Sequence, residues 1–392
     1  MSMRKRPSTL SRELEFLQIP IPNIGHPSRV GWKNEANQAY EDIYGKPISQ
    51  APKDLPIPFP KDTFQERFKQ DFKTGLLKSM FALLSYFKKE RGTHHFGGVG
   101  AKGTIRYLQN DATKKLPFCD YDQSLPFVLR HSNASFEDDG CSQLRAMAFR
   151  VSLPDGQVHD FLLSTGGILP FWSVSSLMNF AGYRNKVKND DWSPQKIWLE
   201  ESPTAFVTAI EATRYAPESY AKMSYYSAIP YGIIGTSDFV KFRVMPKDMD
   251  KESGLLISEL QRRVWIQGRL VEHDKPIRYL ADEYKKRLSE QKTIEYHLEA
   301  QFRTLKEEDT DEFFNSARYW DEEIHPWKAI ATLTADLPLD ETATEDLAYW
   351  LGNVPNGLDF MESISADDYN SVASSRIRIY PRAQRLRKKK RN

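Results

Sequence analysis

Cysteine is nearly absent from this chain of 392 residues, with only Cys119 and Cys141 present. They form no CxxC pair, so neither a disulfide framework nor a cysteine zinc site is expected. A reducing, cytoplasmic setting is the default expectation. No run of about 18 apolar residues occurs, so no transmembrane helix is expected. The opening Met1-Ser-Met-Arg-Lys-Arg-Pro7 has charge but no apolar stretch behind it, unlike a secretory signal. Basic stripes with interleaved aromatics are missing too, which removes nucleic acid from the expected partners. Acid is missing from Arg382–Asn392, where seven of eleven residues are basic. Without that stretch the chain holds 48 basic and 53 acidic residues, a net charge near −5. The basic character is therefore local. It suits a solvated tail or an anionic membrane surface.

What is present is ordinary apolar content, 40%, with rich aromatics, 12%. That composition fits a globular chain lining a cofactor or an apolar substrate. Residues 1–62 hold nine of the 23 prolines and read as an extended arm, which would permit homo-oligomer contacts. Residues 63–385 form the expected core domain, and 386–392 a basic tail. Phe64, Phe68, Phe72, Leu76, Met80, Leu83, Leu84 and Phe87 recur at helical spacing, predicting one amphipathic helix that ends at Arg91-Gly92. Strands are expected at Gly103–Leu108, Pro126–Ser132, Leu144–Leu153, His159–Ser164, Phe239–Met245 and Ile294–Leu305. Further helices are expected near 200–228, 253–271, 275–291, 341–352 and 366–388. The fold class is therefore α+β: an antiparallel β-barrel core with appended α-helices.

Two clusters carry chemistry. Arg376 and Tyr380 are four residues apart and share a helix face. A guanidinium beside a phenol favours the ionised oxygen, and a phenolate is an axial ligand for ferric haem. Pro381 disfavours helical backbone at Tyr380 and removes one helical hydrogen bond. An ordinary helix with a surface arginine and a half-buried tyrosine would look the same. The second cluster is Arg91-Gly-Thr-His94, followed by glycines. A histidine there can move a peroxide proton, and Arg91 or Arg130 can pair a haem propionate. Ser132 could hydrogen-bond the imidazole and fix its tautomer. His95 rivals His94. A non-haem metal site using His94, His95, His131 or His159 is the alternative, although no HxxE or HxxxH spacing supports it.

Taken together, these segments resemble the haem catalases. The resemblance rests on Arg91–His94, Arg130-His-Ser132 and Arg376–Tyr380. The chain is shorter than typical catalases and is similar to the small catalase-related branch of coral allene oxide synthase and hydroperoxide lyase. Gly92–Gly98, Leu129–Asn133, Ser164-Thr-Gly166, Phe171-Trp172, Ile324–Trp327, Asp367–Ser371 and Arg376–Tyr380 carry that closer match, in order. The resemblance implies a catalase-type barrel with buried haem b (ferric), Tyr380 on the iron, Arg376 supporting it and His94 handling protons. It implies that Phe171 and Trp172 pack over the haem. Thr93 stands where typical catalases have valine, and its hydroxyl would temper His94 toward organic hydroperoxides. Ser164 stands where the family has a distal asparagine, which puts ordinary catalase activity and the product class in question. One extra residue in the His95–Gly100 run is a second departure. The implied substrate is a polyunsaturated fatty acid hydroperoxide, supplied by a lipoxygenase. A small catalase-like peroxidase, an oxidative tailoring enzyme or a non-catalytic haem-binding protein remain alternatives.

Overall fold

A computed structural model describes residues 41, 45–46, 96–134, 137–140, 143–169, 171–185, 215–247, 254–256, 276–291, 293–309, 311–317, 319–363 and 366–391. The arm at 1–62, the helix expected at 63–90, and Arg91, Thr93, His94 and His95 lie outside the described residues, apart from 41 and 45–46.

Eight strands close into a ring. They are β1 (Phe96–Tyr107), β2 (Leu125–Asn133), β3 (Arg145–Ser152), β4 (Val158–Ser164), β6 (Tyr225–Tyr226), β8 (Asp238–Pro246), β10 (Ile294–Thr304) and β11 (Lys328–Pro338). They run β1-β2-β3-β4-β6-β8-β10-β11, and β11 pairs back to β1. Every pairing is antiparallel. Two short strands, β7 (Tyr231–Ile233) and β12 (Leu358–Asp359), extend from β8. A separate pair joins β5 (Tyr215–Pro217) to β9 (Gly254–Leu256).

Alternation explains the ring. Along β10, Ile294, Tyr296, Leu298 and Ala300 are buried while Glu295, His297 and Glu299 between them are partly exposed. The same inward set runs across β2 and β3 as Phe127, Leu129, Met147, Phe149 and Val151. Phe149 and Phe161 stack at 4.6 Å, and Phe242 meets Phe161 edge-on at 5.4 Å. Phe118 closes this interior among Tyr107, His159, Phe161 and Phe242. The far end is polar and aromatic. There His131 stacks on Tyr220 at 5.1 Å and meets Tyr284 at 4.8 Å. Tyr284 comes from helix α2 (Tyr279–Gln291), whose buried face is Leu280, Ala281, Tyr284 and Leu288. Side chains fill the barrel, so a planar cofactor has no room inside it.

The expected strands are present with limits no more than seven residues from those expected, but β11 lies where the sequence reading places no strand. Its Lys-Ala-Ile-Ala-Thr-Leu-Thr-Ala run is rich in alanine, a weak strand former. The helix expected at 200–228 is corrected where described: Tyr215–Pro217 and Tyr225–Tyr226 are strands around a short 3-10 turn, Tyr220–Lys222. Tyr225 and Tyr226 join β8, and pairing overrides their helical spacing. The helix expected at 253–271 is a strand at Gly254–Leu256; 257–271 lies outside the described residues. The helix expected at 341–352 is shorter, α3 (Glu341–Asp346). Asp340 caps its start through Ala343 N, and Leu347 leaves helical backbone with ψ 132°. Two more helices are α1 (Val174–Asn185), absent from the sequence reading, and α4 (Ser371–Arg391), expected at 366–388.

Candidate functional site

Outside the barrel, small side chains line the wall formed by β2, β3 and β4. Ser132, Ala146 and Ser164 are cross-strand partners in one row. Ala148 occupies the next row, opposite Arg130. Neighbouring strands lie about 4.8 Å apart, so Ser132 and Ser164 are about 10 Å apart across β3. A wall of serine and alanine is shallow enough for a flat group to lie against. Ser164 is half-buried at the end of β4, one residue before Thr165, whose hydroxyl accepts from Arg145 N at 2.9 Å.

Arg130 lies on the outer side of β2. Its Nη2 donates to Glu345 of α3 at 2.9 Å, and only 4% of its side chain is exposed. Gly98 makes that path possible. A Cβ there would stand 2.4 Å from the Arg130 guanidinium. Between Phe96 and Val99, β1 advances three residues while β2 advances two, from Asn133 to His131. This irregularity is a β-bulge within the His95–Gly100 run. It sits at the strand end that follows His94 in the chain.

The other half of the site is built on α4. Arg376 Nε donates to Tyr380 Oη at 3.0 Å. The i, i+4 spacing brings both onto one face, and Pro381 leaves α4 continuous through Arg391. Tyr380 is half-buried and packs against the cluster of Val174 of α1, Ala366 and Ile379, as do Leu177 and Met178 of α1. Ser371 fixes α1 against α4: its Oγ accepts from Val174 N at 2.9 Å and donates to Asp368 O at 2.6 Å. Phe171 and Trp172, both half-buried, lead directly into α1, and Phe171 meets Phe180 at 5.0 Å.

Two histidines from the sequence reading stand apart. His131 and His159 both lie in the filled interior of the barrel. Burial, with Arg130 adding to it, pushes His131 down to about 3. Burial pushes His159 down to about 4. Among the described residues no group of three His, Cys, Asp or Glu side chains is placed to hold a metal ion.

Sequence reading missed the brace between the two halves. Asp160, on the outer side of β4, accepts from Arg150 Nε and Nη2, both at 2.6 Å. It also accepts from Trp350 N at 2.8 Å and Asn353 Nδ2 at 2.7 Å. Trp350 then reaches α4. Pro381 was the available signal, because a helical proline leaves a carbonyl that needs another donor.

No family model matches the chain. Over 369 residues, 92% of its length, it is 30% identical to the allene oxide synthase-lipoxygenase protein of Plexaura homomalla. It is 25% identical over 315 residues, 76% of its length, to the linolenate 9R-lipoxygenase of Nostoc sp.. It spans only 34% and 39% of those two proteins. A fungal catalase matches its fold with a TM-score of 0.58 over 78% of this chain and 62% of that one, at 17% identity. A bacterial catalase matches with 0.60 over 90% and 69%, at 16% identity.

The chain has the catalase fold. In this chain the residues present suit a ferric haem: an apolar flank on α1, a tyrosine oxygen receiving a guanidinium N–H, and an arginine at the barrel wall. Haem chemistry therefore fits this donor set.

Proposed function

We propose that this chain is a haem b enzyme transforming polyunsaturated fatty acid hydroperoxides, as a hydroperoxide dehydratase or lyase. The observation that carries the reading is the Arg376–Tyr380 pair, set on α4 against the apolar face of α1. The printed name of the Plexaura homomalla relative supports the substrate class. Bound ferric haem would supply the electronic means to break a peroxide O–O bond.

The rest falls to the chain's own side chains. Tyr380 Oη would hold the iron, and the Arg376 Nε–H bonded to it orients the ring and places positive charge beside the oxygen. Val174, Leu177 and Met178 exclude water beside Tyr380. Phe171 would pack against the cofactor. Arg91 and Arg130 offer guanidinium groups to the propionates. His94 takes the hydroperoxide proton and returns it to the leaving oxygen. Thr93 orients His94. Ser164 presents one hydroxyl donor at the barrel wall, where an amide would present two N–H groups. Net loss of water, made from the cleaved hydroperoxide oxygen, its own proton and one proton of the carbon chain, yields an allene oxide; rearrangement with carbon-chain cleavage and no loss of water yields aldehydes.

A lipoxygenase is the natural supplier of the hydroperoxide, and both curated relatives carry that word in their names. Arg378, Arg382 and Arg385 are exposed along one face of α4. That face would hold a cytoplasmic enzyme at an anionic membrane where the fatty acids reside.

The test is reconstitution with ferric haem, followed by product analysis with a hydroperoxy fatty acid and oxygen measurement with hydrogen peroxide. A Soret band and conversion of the lipid hydroperoxide are expected, with weak oxygen release. Vigorous oxygen release with untouched lipid hydroperoxide would instead make the chain a small catalase. A chain without a Soret band would be no haem enzyme.

A further inference from the structure

A proline within a helix leaves one carbonyl without its partner. Pro381 lies inside α4 and brings no N–H to the carbonyl four residues back, that of Ile377. Trp350 fills the gap. Its indole Nε1–H donates to Ile377 O at 2.8 Å. The neighbouring residue grips α4 further along: Gln384 Nε2 donates to Tyr349 O at 2.7 Å. Ile377 and Gln384 are two turns apart, so both bonds fall on one side of the helix. Tyr380 lies between them in sequence.

The grip is anchored in the barrel. Trp350 N donates to Asp160 Oδ2 at 2.8 Å. Asp160 is fully buried and held by both Arg150 donors. Gly352 leaves room for the indole, since a Cβ there would stand 2.4 Å from the ring. A continuous chain of bonds thus runs from β4 through Asp160 and Trp350 to the turn of α4 that contains Tyr380.

We propose that Trp350 is a positioning residue for Tyr380, replacing the helical hydrogen bond that Pro381 removes. Its effect on haem rests on Tyr380 being the ligand; its effect on α4 does not. Without the indole N–H, the Ile377 carbonyl is open and the turn holding Arg376 and Tyr380 loses its fixed point. The phenol oxygen then takes a wider range of directions.

A double-mutant cycle isolates this. Trp350→Phe keeps a packed ring and removes the donor. Pro381→Ala returns a backbone N–H to the Ile377 carbonyl. With Pro381 present, Trp350→Phe should speed haem loss about five- to tenfold, the worth of one hydrogen bond, and alter the ferric haem EPR signature. In the Pro381→Ala background, the same substitution should change haem loss by less than about twofold, for the same reason, and leave the signature unaltered. Equal effects in both backgrounds would overturn the proposal and reduce Trp350 to a packing residue. If wild type binds no haem, the reading of Tyr380 fails. Amide hydrogen exchange across Arg376–Arg382 in the four haem-free proteins then decides the cycle, with faster exchange expected only for Trp350→Phe with Pro381. If Trp350→Phe does not fold, recovery of folding by added Pro381→Ala supports the proposal, and failure of both variants overturns it.

Discussion

Lowering the pH from 7 to 5 should weaken this fold through two histidines inside the barrel. His131 is fully buried, and His159 is 1% exposed. Burial, then Arg130, holds His131 at about 3, and burial holds His159 at about 4, against a smaller opposing pull from Asp155. An unfolded histidine titrates at about 6.5. Between that value and the folded values, the unfolded chain binds two more protons than the folded one. Stability therefore falls as pH falls through this window, and is flat with respect to these two groups above about pH 7. At pH 5 each histidine accounts for about 2 kcal/mol of lost stability. The pair accounts for about 4 kcal/mol, a large share of the 5–15 kcal/mol typical of a folded domain. Urea unfolding at pH 7 and pH 5, compared between wild type and His131→Phe, measures it. Phenylalanine matches the aromatic surroundings of Tyr220, Tyr225 and Tyr284. It should lower stability at both pH values while removing about 2 kcal/mol of the difference between them. An unchanged difference would refute the neutral, buried state of His131.

Other perturbations probe the wall and the brace. Asp160→Ala leaves Arg150, Trp350 N and Asn353 without their shared acceptor; urea unfolding should show a loss of about 3–5 kcal/mol. Gly103→Ala places a Cβ 2.0 Å from the Thr334 carbonyl oxygen, at the β1–β11 irregularity; a loss of about 1–3 kcal/mol is expected in the same assay. Ser164→Asn adds an amide donor at the barrel wall; it should raise oxygen release from hydrogen peroxide at least about tenfold relative to lipid hydroperoxide turnover, read with an oxygen electrode.

The barrel was legible because its strands alternate, as Ile294 to Ala300 do, and because turns such as Pro154-Asp-Gly156 punctuate them. Arg376 and Tyr380 were legible because their spacing is intrinsic to a helix. Other features depend on partners far along the chain. Tyr225–Tyr226 became a strand through β8, and α3 ended early where the backbone at Trp350 turns to Asp160. Alternation in β11 was hidden by alanines that gain their place from packing between β1 and β10. Glu345 beside Arg130 could not be foreseen, since it is brought there by α3 folding over Gly100, where a Cβ would meet Thr344.

The ring closes by pairing its first strand with its last, β1 with β11. Such distant pairing makes closure slow, because the entropy of a long loop is lost before the contacts repay it. Helix α4 follows β11 in the chain, and its brace runs to Asp160 in the fourth strand. The brace on the turn that holds Tyr380 is therefore complete only once the fourth strand and α4 are both in place. If Tyr380 is the ligand, as proposed above, haem offered early in synthesis would meet an unfinished barrel with no ligand yet in place. Cofactor capture thus belongs at the end of folding, and a chain caught with haem is one whose barrel has already closed.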